Sequence, residues 1–208
     1  MANDTDDEKR AHHLRITDSS LWIVRFAPLI KAGGTVLDLA CGGGRHARHL
    51  LENGQKVVVL DRVTDAVADL ENNPDCEVIC ADLEGEDPAL AGGGPLAGRT
   101  FDAIVVVNYL HRELFDHLID ALNPGGVLLY KTFARGNEVY TRPRNPHHLL
   151  KSGELLNLVE GKLQVVAYEH GIIEQGPLPG VIQRICAVKP EGPSTREDGE
   201  PDPQRVHP

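Results

Sequence analysis

Val36-Leu-Asp-Leu-Ala-Cys-Gly-Gly-Gly-Arg45 decides how the rest of the chain is read. An apolar run carrying one acid gives way to a glycine elbow and then to helix-forming residues, from about Arg45 to Asn53. Glycines allow a sharp turn, and they let a ligand approach the backbone where a Cβ would collide. The following helix turns its unsatisfied amides toward the same place. Strand, glycine elbow and helix in this order make a nucleotide-like cofactor site at the carboxyl edge of a parallel sheet.

Three later runs extend the pattern. Lys56-Val-Val-Val-Leu-Asp61 reads as a buried strand ending in an acid, and Cys76-Glu-Val-Ile-Cys-Ala-Asp82 as another. Phe101-Asp-Ala-Ile-Val-Val-Val-Asn108 is apolar until its polar last residue. Asp61 lies 19 residues beyond Gly42, the spacing at which an acid after the second strand accepts bonds from a ribose diol. Gly42-x-Gly-x-x-Ala47 with Asp61 also satisfies a loose dinucleotide fingerprint, which leaves an NAD-binding oxidoreductase as a rival reading.

Around these strands the chain alternates. Helices are expected over Ser20 to Ile30, Arg45 to Asn53, Val63 to Asn72, Arg112 to Leu122 and Gly153 to Val159. Gly92 to Gly98 reads as a loop, and Asn123-Pro-Gly-Gly126 as a stop and turn into a fifth strand at Val127 to Tyr130. Leu163 to His170 and Val181 to Val188 have the short apolar runs of a terminal hairpin. The expected fold is α/β: a Rossmann-like, seven-stranded, mainly parallel sheet with helices on both faces and a C-terminal antiparallel hairpin.

Composition fits one well-packed domain, with 208 residues of which 41% are hydrophobic and 25% charged. Residues 1–12 and 190–208 are polar and lack apolar periodicity; they read as disordered tails around a domain at 13–189. The formal net charge is -10, half of it on those tails, and an acidic body disfavours long-range capture of nucleic acid. No stretch has membrane-spanning length without charge, and the acidic start lacks the form of a secretory signal. Four cysteines in or beside apolar elements read as reduced thiols of a cytoplasmic protein. Cys76 and Cys80 lack zinc-knuckle spacing, and His46 with His49 reads as the exposed side of a helix, so no metal is expected. Nothing in the sequence selects monomer or dimer.

From about Trp22 to Lys189 the chain resembles the class I S-adenosylmethionine-dependent methyltransferases. More loosely, its compact build and Tyr130-Lys-Thr-Phe-Ala-Arg135 resemble the small tellurite-resistance-type members. The resemblance implies that Asp38, Ala40, Gly42 and Gly44 surround the methionine part of S-adenosylmethionine, and that Asp61, with Arg62 beside it, holds the ribose. It implies that Asp82 and Leu83 meet the adenine, and that Asn108-Tyr-Leu-His111 faces the methyl group. Ala40 stands where many relatives carry the first glycine of the loop.

A sulfonium methyl is already activated, so an enzyme has mainly to align an acceptor, exclude water and leave the product sulfur uncrowded. Asn108 is expected to orient cofactor or acceptor, Tyr109 to form an aromatic wall, and His111 to take the acceptor's proton. Past the fifth strand, Tyr130, Lys131, Thr132 and Arg135 begin a polar cluster that Asn137, Tyr140, Arg142, Arg144, His147 and His148 continue. It is basic for so acidic a chain, which suits a small anionic substrate paired to Arg142 or Arg144. His170 and Arg184 are further candidates near the hairpin. The expected activity is methyl transfer to a small molecule, with a non-catalytic cofactor-binding or interaction protein as the second alternative.

Overall fold

The computed structural model describes residues 14–85 and 89–206. The tail read over 1–12 lies outside the described residues. Strands β1 (Thr35–Leu39), β2 (Lys56–Asp61), β3 (Cys76–Cys80), β4 (Phe101–Val107), β5 (Leu122–Phe133), β6 (Gln164–Ile173) and β7 (Gly180–Val188) form one seven-stranded sheet. Their order is β3-β2-β1-β4-β5-β7-β6, parallel from β3 through β5, with β7 antiparallel to both its neighbours. The expected mixed sheet with its terminal hairpin is therefore present.

Side chains alternate across each strand, and both faces are apolar because both are covered. Leu37, Val58, Ile104, Leu128 and Ile185 point to one face, where α3 (Phe115–Asp120) and α4 (Glu154–Val159) add Leu118, Leu155 and Val159. Val36, Val57, Val105, Leu129 and Cys186 point to the other. There α1 (Leu21–Phe26) and α2 (Arg45–Glu52) bring Trp22, Ile23, Phe26, Ala47 and Leu50.

The expected helices are present but shorter. Pro28 has no amide hydrogen to continue α1, and the chain tightens into a 3-10 turn at Ala27–Leu29. Asp65–Asn72 is 3-10 throughout. The helix expected to run to Leu122 stops at Asp120, because Leu122 already pairs with Phe101 and Asn123 to Gly126 form an irregular entry into β5. Lys189 Nζ takes up the carbonyls of Ile119 at 2.9 Å and Leu122 at 2.8 Å at that break.

His46 departs from its expected exposed position. It sits on the buried side of α2, 4% exposed, and its Nε2 has no hydrogen-bond partner among the described residues. Burial first, then the nearby charges of Arg45 and Lys131, push it down to about 3. Cys41, Cys76, Cys80 and Cys186 are all unpaired. Residues 190–206 form no helix or strand, and Gln204 Nε2 donates to Gln164 Oε1 of β6 at 3.2 Å. Among the described residues no helix is long and apolar enough to cross a membrane.

The chain runs outward from β1 through β2 to β3, then crosses back to β4 and runs outward the other way. Ligands bind in open α/β sheets at such a switch point, beyond the carboxyl ends of the strands. Here that point lies between β1 and β4.

Candidate active site

At the end of β1 the acid, the elbow and the helix are tied together by backbone bonds. Asp38 is buried, and its Oδ2 accepts from the Ala47 amide in the first turn of α2 at 3.1 Å. Burial raises its carboxyl to about 7, against the lowering effects of that bond and of Arg45. Beyond it the backbone enters the left-handed region at Ala40 (φ 56°), Gly42 (φ 56°) and Gly44 (φ 68°). A Cβ on Gly44 would lie 2.6 Å from Val67 Cγ1, so this glycine lets the loop pack on the 65–72 turn. A Cβ on Gly42 would meet no heavy atom within 4 Å.

At the end of β2, Asp61 Oδ2 accepts from the Gly42 amide at 2.9 Å, and Oδ1 from Val63 at 3.1 Å. At the end of β3, Asp82 Oδ1 accepts from Glu84 at 2.9 Å and turns the chain, so that Glu84 Oε1 receives the Tyr109 hydroxyl at 3.3 Å. At the end of β4, Asn108 takes a left-handed φ of 60° and donates its amide to Lys131 of β5 at 2.8 Å. Lys131 is largely desolvated, which lowers its amine to about 8, and Arg184 and Arg45 push the same way.

These strand ends enclose three adjoining cavities. One of about 310 Å³ is walled by Ala40, Asp61, Arg62, Asp82, Leu83, Glu84 and Tyr109. A second, about 170 Å³, lies over the glycine loop between Ala40, Gly42, Arg45, Val107 and Asn108. The third is a chamber of about 600 Å³ between Asn108, Tyr109, Leu110, Thr132 and Phe133 on the strand side and Arg142 to Asn145 and His148 on the loop side. Ala40 walls the first two, Asn108 the last two, and Glu84 and Tyr109 the first and third. The three form one groove that bends around Asn108 and Tyr109.

These expected residues thus reach one groove: Ala40, Gly42, Asp61, Arg62, Asp82, Leu83, Asn108, Tyr109, Thr132, Arg142, Arg144 and His148. Asp38 and Gly44 stand behind the wall and hold the loop. Tyr130 lies in the core, and its hydroxyl donates to the Tyr109 carbonyl at 2.9 Å, so it braces the wall from beneath. Arg135 and Tyr140 are exposed and line none of the three cavities, nor does His111, whose Nε2 lies 3.7 Å from Glu113 Oε2. Arg184 stacks over Trp22 at 4.6 Å and pairs with Glu169, while His170 is exposed on β6.

Two contributors, Glu84 and Arg112, have no motif to announce them, and a third, Asn137, is expected only as a member of the polar cluster. Glu84 joins two cavities. Asn137 is buried in the loop after β5; its Nδ2 donates to the carbonyls of Thr141 at 3.2 Å and Pro143 at 3.0 Å, while its Oδ1 accepts from Val181 at 3.2 Å. Arg112 donates to the carbonyls of His147 at 2.7 Å and Leu149 at 3.0 Å, and its Nε to Glu154 at 2.5 Å. The loop that roofs the chamber is therefore held at both ends. In sequence Arg112 is one cation at a helix start, and only the folded chain shows the carbonyls it serves.

Residues 10–165 match the family described as a methyltransferase domain. The chain belongs to that family. Among curated relatives it is 35% identical over 116 residues to a tRNA U34 carboxymethyltransferase of Methylococcus capsulatus, covering 51% of this chain but only 33% of the relative. TehB from Haemophilus influenzae has the same fold at 20% identity and a TM-score of 0.66, over 84% of this chain and 64% of that one. The N-methyltransferase NodS from Bradyrhizobium japonicum WM9, solved with S-adenosyl-L-homocysteine, matches over 91% and 90% at 16% identity and a TM-score of 0.60. The chain spans about a third of the length of that carboxymethyltransferase.

Proposed function

We propose that this protein transfers a methyl group from S-adenosylmethionine to a small-molecule acceptor by direct displacement. The observation that carries the reading is the bent groove, with an acid at the end of β2, a glycine loop at the bend and a half-open chamber beyond Asn108. The residues fit the cofactor in kind: an acid for hydroxyls, an apolar Leu83 beside polar Asp82 for a base, and an open backbone at Gly42. Bound there, S-adenosylmethionine supplies a methyl group already activated by its sulfonium.

The chain's own part is alignment. Asp61, beside Arg62, accepts from the ribose hydroxyls, and Asp82 with Leu83 receives the adenine. Asn108 and Tyr109 form the wall at the bend, where the acceptor is held against the methyl group and water is displaced. An acceptor held at that wall would present its lone pair to the methyl group and would give up its proton there. His148 is on the chamber wall to take that proton, whereas His111, expected in that role, lies beside Glu113 and lines no part of the chamber.

A small acceptor is favoured over a tRNA by the chain's net charge of -10, which opposes a polyanion. The acceptor is read as anionic because Arg142 and Arg144 both wall the chamber. A cytoplasmic setting fits the four unpaired cysteines. Calorimetric titration with S-adenosylmethionine, S-adenosylhomocysteine and NAD tests the cofactor. Micromolar binding of the first two without NAD is expected, and binding of NAD alone would overturn the proposal. Tight cofactor binding without turnover of any acceptor would instead favour a non-catalytic role on this scaffold.

A further inference from the structure

We infer that the chamber takes an extended organic acid, with an apolar body along Tyr109, Leu110 and Phe133 and a carboxylate held by Arg142 and Arg144. The inference rests on the methyl-transfer reading only for which end of the ligand reacts. Size is the first argument. The chamber holds about 600 Å³, within the range of organic-ligand pockets. An inorganic oxyanion displaces on the order of two waters, roughly 60 Å³, and would leave most of this space wet.

Wall chemistry is the second. Leu110, Phe133 and Pro143 give the chamber apolar sides, while Arg142 and Arg144 flank Pro143 on the loop side. A guanidinium presents a planar fork that matches a carboxylate. Two of them stand together on this wall in a chain whose net charge is -10. Direction follows from the opposite charge. Glu84 walls both the chamber and the cavity of Asp61 and Asp82, whereas the arginines wall the chamber alone. A carboxylate is repelled from the Glu84 end and drawn to the arginine end, which leaves the other end of the acid at Asn108 and Tyr109.

The third argument is order. Asn137 fixes the carbonyls on either side of Arg142, at Thr141 and Pro143, and Arg112 fixes those of His147 and Leu149. A loop backbone held in this way spends little entropy when the chamber fills, which leaves the ordering of the two exposed arginine side chains as the main cost. A Cβ on Gly180 would lie 2.1 Å from Asn137 Oδ1, so a bare glycine on β7 makes room for the tether.

The test titrates the full chain, with and without saturating S-adenosylhomocysteine, with benzoate, 3-phenylpropionate and hexanoate, their primary amides, and selenite. Binding is read by calorimetry and ligand-observed NMR. The acids are expected to bind at least tenfold more tightly than their amides and than selenite. An R142Q/R144Q variant should lose about tenfold to a hundredfold of acid affinity and keep its cofactor affinity and melting temperature. Amides binding as well as acids, selenite binding with the same arginine dependence and no acid binding, unchanged acid affinity in the variant, or no acid binding at all would each overturn the inference. If the wild type fails to bind S-adenosylhomocysteine, the functional reading falls, while the titrations without it still read the chamber.

Discussion

The Gly42 amide donates to Asp61 Oδ2 at 2.9 Å, so the elbow after β1 is fastened to the acid that ends β2. One carboxylate both shapes the loop and faces the cavity, with a second lone pair on each oxygen left for ligand hydroxyls. D61N keeps the shape and size of the group but removes its charge, and its amide nitrogen takes the place of one of the two oxygens that accept from Gly42 and Val63. It is expected to weaken S-adenosylhomocysteine about tenfold to a hundredfold, the worth of one or two charge-assisted bonds, and to lower stability by about 1–3 kcal/mol for the backbone amide left without its acceptor. Calorimetry on folded D61N checks this. Unchanged affinity would remove Asp61 from the cofactor site.

Ala40 holds a φ of 56° that costs an L-residue roughly 1–2 kcal/mol. A40G removes that strain but adds unfolded-state entropy of roughly 0.5–1 kcal/mol, so stability should stay level or rise by up to about 1.5 kcal/mol. In a chain of this size that is at most ~3–6 °C in melting temperature. A40V should go the other way and by more, because a β-branched residue fits the left-handed region worst. Equal melting temperatures for all three proteins would show that the position carries no strain.

How much of this could be read from the sequence depends on whether a feature is local. The strand runs at Val36, Lys56 and Phe101 were legible because both faces of the sheet are buried and their apolar residues are consecutive. The acids and amide that end them follow from the same runs. Helix ends were legible only roughly, since Pro28 and the early start of β5 at Leu122 cut short two periodic patterns. His46 was misread because its burial depends on what packs over α2, which the helix sequence does not state. Arg112 and Asn137 act on carbonyls brought near by the fold, and no spacing rule encodes those contacts.

Arg112 is half of a bidentate pair with Glu154, and it also satisfies the carbonyls of His147 and Leu149. R112M leaves the carbonyls of His147 and Leu149 without this donor and leaves the Glu154 carboxylate with the Lys151 amide but without its cation. With solvent reaching part of the pair, a loss of about 1–3 kcal/mol is expected. R112K should recover little of it, because an ammonium cannot serve four acceptors in a plane. Hydrogen exchange should speed up over residues 145–150 and leave the β1–β4 core unchanged. Full rescue by lysine would show that only the charge matters.

Asp38 and His46 lie on the same side of the sheet and should drive stability in opposite directions with pH. Burial raises Asp38 from 3.8 to about 7, so between those values the folded chain binds a proton that the unfolded chain has lost. That contribution is complete below pH 4 and is lost as pH rises through 7. Burial lowers His46 from 6.5 to about 3, so over that window the unfolded chain binds the extra proton, and stability is gained as pH rises from 3 to 6.5. In the wild type the two slopes largely cancel between about pH 4 and 6.5. D38N should therefore make unfolding free energy rise more steeply across that window. H46N should make it fall with pH, each by about 1.4 kcal/mol per pH unit at most. Urea unfolding of the three proteins from pH 4 to 7.5 measures the slopes, and parallel curves would mean that neither group titrates as its burial requires.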